Sequence, residues 1–574
     1  MKVLFALFIL PISLFGQLHY TLKIEGNDSV SISFARKMSY ADSFLDTVSL
    51  YKSIEQITQS IRNEGYLSAS INVISIDSTT RKAVLSLGKK YDKGIIQLQN
   101  IPQSALNYAG LKNRKASVSI LEFIKKREKI IEFFENNAYP FASIYLDSIK
   151  ISDDGINAIA RVEKYNPITI SSIKVVGYTQ IDESFLMSQI GIKAGSLYDD
   201  SAIKKIGEAI NELSFIDIVG KSRIHFEQNN IADIEIELRK KSANRFDGMI
   251  GFAPNTQNNN KLLITGKLSF ELNNMLSKGE LINLDWQKLD AKSQKLLAGY
   301  SIRYLFKTRL GNESNILLYK QDTSYMNTDI YTALPYYFTY NKLIKVYFEQ
   351  KSSTLLDKSL ISNVSTLPEY ADISKTSFGA GTKLWNLDYS YNPRKGYTFE
   401  LLASSGIKKI DKNPQVDSSI YKNVLLKTKQ VELKCSFSVY FPISKRTVIL
   451  LEDKSATMQN TAIYRNELYK IGGAKLLRGF DEGEIACSSY SVVNAEYRFL
   501  FQKNSNLFAF FNAAYYENKA ATSHAHDTPY GFGLGLNVQN KSSIFSISYA
   551  YGSQFGNGIQ FNAAKIHFGY LTVF

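Results

Sequence analysis

The chain has 574 residues, with 36 Tyr and 34 Phe against 2 Trp, a net charge of +15 and a mean hydropathy of -0.16. The aromatic excess favours β-strands. No run of about 18 apolar residues follows the N-terminus, which excludes later membrane helices but not a membrane barrel, whose outward and inward residues alternate. The charge is not gathered into a Lys/Arg stripe, so nucleic acid is not an expected partner; solvated basic faces or anionic lipid head groups account for it.

Residues 1–16 read as a secretory signal, with Lys2 as the positive start, an apolar stretch over 3–15 and cleavage before Gln17. No Cys follows the cleavage point, so a lipoprotein anchor is not expected. Between 17 and 241 the chain repeats. The third copy is clearest. Ile168, Ile170, Ile173 and Val175 make a strand, and Gly177 turns it. Phe185, Leu186 and Ile190 form a short helical face, and Ile203, Ile206, Ile210 and Leu213 recur at helical spacing. Strands around Ile224 and over 231–238 complete a β-α-α-β-β order. The first copy places Ile54, Ile57 and Ile61 on a helix face, and the second places Ile120, Ile124, Ile131 and Phe134. The aromatics Tyr66, Tyr139 and Phe215 mark the period, about 75 residues, a length suited to small domains.

From 242 to 574 the period changes to two. Ile344, Val346 and Phe348 alternate with Lys345, Tyr347 and Glu349; Val493, Ala495, Tyr497 and Phe499 alternate with Asn494, Glu496 and Arg498. About sixteen such strands fit, an even number as bacterial barrels require. Cys435 shares the outward phase of Val431, Leu433 and Phe437, away from Cys487, so two inert thiols and no disulfide are expected.

Residues 469–480 interrupt this pattern. Tyr469 precedes the pair Gly472 and Gly473, and Leu477, Arg478, Gly479 and Phe480 follow. Arg478 offers five donors and a permanent charge; if it enters a lumen it needs an acceptor, and the alternation turns Glu496 inward. The last strand sets Ile566, Phe568, Tyr570, Thr572 and Phe574 on one face, with Gly569 lowering strand propensity on the other. His19, His225, His524, His526 and His567 form no ligand pattern and no Gly-x-Ser-x-Gly elbow occurs, so no enzyme, metal or cofactor is expected.

The pattern aromatic-x-x-Gly-Gly, three residues, then apolar-Arg-Gly-aromatic is filled at every position. It resembles the sixth extracellular loop of the BamA/TamA outer-membrane assembly superfamily. The repeats resemble that superfamily's POTRA modules, and the Tyr-Asn-Pro-Arg-Lys-Gly run at 391–396 its periplasmic turn. The resemblance implies α+β POTRA-like domains at 17–91, 92–166 and 167–241, followed by an all-β transmembrane barrel of about 16 antiparallel strands at 242–574. It implies a loop folded into the lumen, with Arg478 paired to Glu496 and with Asn512 standing where the family has a second, aspartate partner. It implies a weak seam at the last strand, with Phe568, Gly569, Tyr570 and Phe574 as the recruiting end. The role implied is non-enzymatic: insertion of client polypeptides through the seam in the bacterial outer membrane, with the POTRA-like domains in the periplasm. Outer-membrane lipid, client polypeptides and a TamB-like periplasm-spanning protein are the implied partners. Three modules and the overall length place the chain on the TamA side. The alternative is a two-partner-type secretion pore passing an unfolded chain through the lumen. That type usually has two POTRA modules and an N-terminal plug helix, which the segment after Gln17 lacks.

Overall fold

In the computed structural model, residues 20–573 are described apart from 78, 92, 112–116, 153–154, 179, 255–261, 289–291, 358–368, 390–391, 414–417, 521–522, 541–542 and 560–563. The expected signal segment and Phe574 lie outside the described residues.

The first two modules share one sheet order. In the first, Tyr20–Gly26 lies between the short strand Ser43–Phe44 and the parallel strand Thr80–Ser86, with Ser70–Ser75 beyond. In the second, Ile95–Gln99 lies between Ser117–Ser119 and the parallel strand Gly155–Glu163, with Ser143–Ser152 beyond. The helices Thr47–Asn63 and Ile120–Glu135 belong to these two modules. Each is capped by a side chain: Asp46 accepts from the Ser49 N–H, and Ser119 from the Glu122 N–H. Leu50, Ile54 and Ile61 are buried on the first. On the second, Phe123 and Ile130 are the residues buried beside Ile120 and Phe134, while Ile124 and Ile131 are only partly covered.

In the third module the strand Ile231–Lys240 pairs with Thr169–Gly177, Ile216–Ile218 and Arg223–Glu227. The helix read from Ile203 to Leu213 is divided into Asp200–Lys204 and Ile206–Asn211, and Ile216–Ile218 is a strand that the period did not reveal. The chain forms two compact units. Of the described residues, one unit takes those up to Ile170 with Ser196–Ser201 and Phe226–Ala232; the other takes Ser171–Gly195, Ala202–His225 and those from Asp233 onward. Within the second unit, helix Glu183–Ile190 packs Phe185 on Tyr304 with ring centres 5.6 Å apart. The buried Gln189 accepts from the Tyr304 hydroxyl at 3.1 Å and donates to the Ala209 carbonyl at 2.7 Å. Glu212 accepts from the Trp385 indole N–H at 2.7 Å. Burial raises the Glu212 pKa above the ordinary 4.5, opposed by the Trp385 hydrogen bond and the Arg303 charge.

The barrel wall has sixteen antiparallel strands among the described residues. They are β1 Arg245–Pro254, β2 Leu262–Asn273, β3 Leu281–Lys288, β4 Gln294–Ile302, β5 Asn312–Gln321, β6 Tyr325–Thr339, β7 Lys342–Leu355 and β8 Ile373–Leu387. The second half runs β9 Gly396–Ile410, β10 Lys427–Pro442, β11 Thr447–Gln459, β12 Ser489–Gln502, β13 Ser505–Ala520, β14 Tyr530–Asn540, β15 Ser543–Ser553 and β16 Lys565–Val573. A short strand, Ser523–Asp527, pairs with the far end of β13 before β14 takes over at Ala513. Each strand pairs with its neighbour in sequence, and β16 returns to β1. Closure gives backbone groups partners that a bilayer could not supply.

The burial pattern is inverted relative to a soluble protein. Val346 is 60% exposed and Phe378 68%, while Lys345, Glu349 and Lys375 are buried. Val493, Tyr497 and Phe499 face out, and Asn494 and Glu496 face in. An apolar outer band around a charged interior suits a hydrocarbon surround. Among the described residues no helix is long and apolar enough to cross a membrane.

Candidate functional site

Between β11 and β12 the chain turns into the barrel. The short strands Tyr469–Ile471 and Ile485–Cys487 pair as a ribbon, and the chain turns after the first of them at Gly472 and Gly473, both with positive φ. Ile471, Leu477, Phe480, Ile485 and Cys487 bury together against Val492, Ala514 and Tyr516 of β12 and β13. This small apolar core fixes the loop so that Arg478 has one direction to point. Both Cys487 and the half-buried Cys435 are free thiols.

Arg478 is 8% exposed and points at the inner wall. Its Nη2 lies 2.8 Å from Glu496 Oε1 and donates to Asn494 Oδ1 at 2.5 Å; its Nε donates to Asn512 Oδ1 at 3.0 Å. The guanidinium carbon sits 3.7 Å from the centre of the Phe510 ring, a cation–π contact in a desolvated setting. The sequence-level partners Glu496 and Asn512 are thus both in contact with Arg478. Two residues were missed. Asn494, one inward step before Glu496, links the set by accepting from Asn512 at 3.0 Å and donating to Glu496 at 3.2 Å. Arg498, one inward step after, holds the other carboxylate oxygen of Glu496 with Nε at 2.8 Å and Nη2 at 2.7 Å. The same alternation that turned Glu496 inward carried the signal for both.

A buried charge is tolerable only when its partners are fixed. The backbone supplies that fixity. Gly479 has φ 96°, and a Cβ there would meet the Tyr551 carbonyl oxygen at 2.5 Å. A Cβ on Gly531 of β14 would lie 2.0 Å from the Arg478 carbonyl oxygen, and one on Gly552 of β15 would lie 2.5 Å from that of Gly479. The loop therefore lies directly on a glycine floor made by β14 and β15. Lys565, the first residue of β16, adds an ion pair to Asp481 at 2.7 Å.

Tyr469 is half-buried; its hydroxyl donates to Glu432 of β10 at 3.2 Å. Upstream, the loop meets a different part of the wall. Asn466, 2% exposed, donates through Nδ2 to Ser353 Oγ at 2.7 Å and to the Ala371 carbonyl at 2.8 Å, and its own carbonyl accepts from Asn327 Nδ2 at 2.9 Å. Lys408 of β9 ion-pairs with Glu467 at 2.5 Å. These residues belong to no motif in the sequence, because Lys408 has Lys409 beside it and nothing local says which of the two turns inward. Between the loop and the wall lies a cavity of about 850 Å³, lined among others by Asn327, Lys351, Lys375, Glu432, Asn466 and Tyr469.

The terminal-strand residues sit apart from this constellation. Phe568 faces outward at 63% exposure, and Gly569 and Tyr570 pair with Ser546 and Phe545 of β15. Across the seam β1 and β16 pair only where Arg245, Phe246 and Asp247 meet Val573, Thr572 and Leu571. Residues 565–570 of β16, and β1 beyond Asp247, have no strand partner there among the described residues. By contrast β8 and β9 pair from Leu387 and Gly396 to Ile373 and Ile410.

Residues 237–571 match the family model described as the Omp85 superfamily domain. The chain belongs to the Omp85 superfamily. No curated protein matches the sequence. Solved structures of similar fold include CdiB from Escherichia coli, at 12% identity and TM-score 0.55, covering 92% of this chain and 98% of that one. CdiB from Acinetobacter baumannii matches at 12% identity and TM-score 0.53, over 83% and 89%. BamA from Haemophilus ducreyi lacking POTRA domains 1–3 matches at 15% identity and TM-score 0.44, over 84% and 99%. As an Omp85 barrel preceded by α/β modules, this chain is a protein of the bacterial outer membrane. In this chain Arg478 is held by a carboxylate, two amides and a ring, and these contacts fix the loop against the inner wall.

Proposed function

We propose that this Omp85 protein inserts client polypeptides into the outer membrane through the β1–β16 seam, without enzymatic chemistry. The observation that carries the reading is the contrast in pairing. Among the described residues three on each strand close the seam, while the lumen behind it is occupied by an anchored loop. Unpaired strand edges are costly in hydrocarbon and are satisfied by adding a strand. A client strand is such an addition, and pairing itself supplies the free energy. In this reading the three modules lie in the periplasm and pass clients to the seam by strand addition. A TamB-like periplasm-spanning protein would deliver them. The alternative, a two-partner-type pore, needs the loop to leave the lumen rather than the seam to open.

A disulfide across the seam separates the two. In a background with Cys435 and Cys487 replaced by Ser, Phe246→Cys with Thr572→Cys joins residues that stand directly opposite. Oxidation is expected to abolish insertion of a nascent barrel protein into liposomes and reduction to restore it. A control bridge between Thr376→Cys and Ile407→Cys, opposite on β8 and β9, is expected to leave insertion intact. A seam-locked protein that still inserts clients rejects the reading. One that carries an unfolded client across the bilayer establishes the pore.

A further inference from the structure

The loop motif explains one end of the loop. The other end carries a second buried charge that the motif does not account for. Lys408 is 1% exposed, and among the described residues its ammonium's hydrogen-bond partners are on the loop: it donates to Glu467 Oε1 and to the Ala462 carbonyl, and lies 5.3 Å from the centre of the Tyr464 ring. Glu467 in turn accepts from the Tyr464 N–H at 2.7 Å, so one carboxylate closes the Arg465–Glu467 turn and neutralises the wall lysine together. Asn466, between them, uses both amide hydrogens on β7 and on Ala371, while its carbonyl takes a hydrogen from β6. Tyr464 is buried with Ala371, Ile373, Ile410, Ile420 and Tyr421.

These bonds tie the loop to β6–β9, whereas Arg478 ties it to β12 and β13 and its backbone rests on β14 and β15. The two attachments share no residue and grip different parts of the wall. Among the described residues the one carboxylate paired with this buried ammonium lies on the loop, which makes partial release costly, so the attachment is either made or undone as a unit. Nothing in it depends on Arg478 except the covalent chain between.

We propose that Lys408, Asn466 and Glu467 are positioning residues forming a second luminal latch, independent of the arginine motif, and that the loop keeps the lumen shut while either latch holds. The loop then works as a strap latched at either end, with Tyr469 on Glu432 and Lys470 on Tyr319 and Gln321 between the two latches. The cavity of about 850 Å³, bounded by Asn466, Glu467 and Tyr469 on the loop and by Lys351, Lys375 and Glu432 on the wall, lies beside the upstream latch and would widen on its release.

The test is single-channel conductance of the full-length protein in planar bilayers. Variants are compared as heat-modifiable, folded barrels. Arg478→Ala alone and Asn466→Ala with Glu467→Gln are each expected to leave the open time of the large conductance state within about two-fold of the parent. Combining all three is expected to raise it by about ten-fold or more, because each latch must then be absent for the lumen to clear. Lys408→Glu alone should behave as a latch variant, and Lys408→Glu with Glu467→Lys should restore the parent trace in the Arg478→Ala background, which a general loss of stability would not do. If Lys408→Glu yields no folded barrel, Glu467→Gln and Asn466→Ala carry the comparison. The proposal is overturned if Arg478→Ala alone opens the lumen as fully as the combined variant. It is equally overturned if the upstream substitutions change nothing in either background, or if the charge exchange fails to rescue.

Discussion

At the Arg478 anchor a buried guanidinium is held by Glu496, Asn494 and Asn512 and stacked on Phe510, over backbone that rests on glycine. A few strands away, β16 meets β1 over three residue pairs among the described residues, although its other edge is paired with β15 from Lys565 to Thr572. The loop grips β12 and β13 by side chains, β14 and β15 by backbone contact, and β16 by Lys565 with Asp481. The strands leading up to the seam are therefore braced from inside, and the junction itself is left weak. An opening can be confined to one place in a closed barrel if the staves beside it are stiffened, since the cost of unpaired backbone elsewhere is then never met.

The strongest way to break this contrast is to remove the brace. Arg478→Ala leaves Glu496 facing Arg498 alone, and Glu496→Ala leaves two guanidinium groups without a carboxylate between them; each is expected to cost about 3–5 kcal/mol of barrel stability. The double variant should lose little more than either single one, because contacting residues do not add. Unfolding in detergent, read by heat-modifiable migration, measures the cycle. Strict additivity would mean that the pair contributes nothing jointly. Arg478→Lys should recover little, since an ammonium cannot reproduce the planar fork.

A smaller effect is expected from the floor. Gly531→Ala sets a methyl group 2.0 Å from the Arg478 carbonyl oxygen and should cost about 1–3 kcal/mol by pushing the loop off β14. Ala at Gly558, where a Cβ meets nothing within 4 Å, is the matched control and should be silent in the same unfolding assay.

The smallest effect lies away from both regions, where the third module meets the barrel, and it sharpens the comparison by showing a joint set by pH. The folded pKa of Glu212 is raised by burial, so folding takes up a proton. Its contribution is full below the ordinary value of 4.5 and is lost as pH rises through the raised value. Trp385 is one of two tryptophans, and in a Trp286→Phe background its fluorescence reports this joint alone. The midpoint of its unfolding is expected to fall with rising pH in the parent and to flatten in Glu212→Gln. An unchanged slope would show that Glu212 titrates alike in both states.

The sequence by itself determined what depends on local periodicity. Alternation at period two named the barrel and the inward phase of Glu496, helical spacing named the covering helices of the first two modules, and the glycine–arginine run named the loop. Those signals lie within a few residues of one another, so no knowledge of distant contacts is needed to read them. Asn494 and Arg498 shared that signal, but alternation says only that a side chain faces inward, not whom it meets. Tertiary structure alone decided that Asn494 completes the Arg478 set, that Gly531 and Gly552 form its floor, and that Lys408 finds Glu467 fifty-nine positions away. It also decided where the Ile203–Leu213 helix breaks, and how far β1 and β16 pair. Each of these is settled by packing and register between segments remote in the chain. Register around a closed wall is a property of all the staves together, and no single strand carries it.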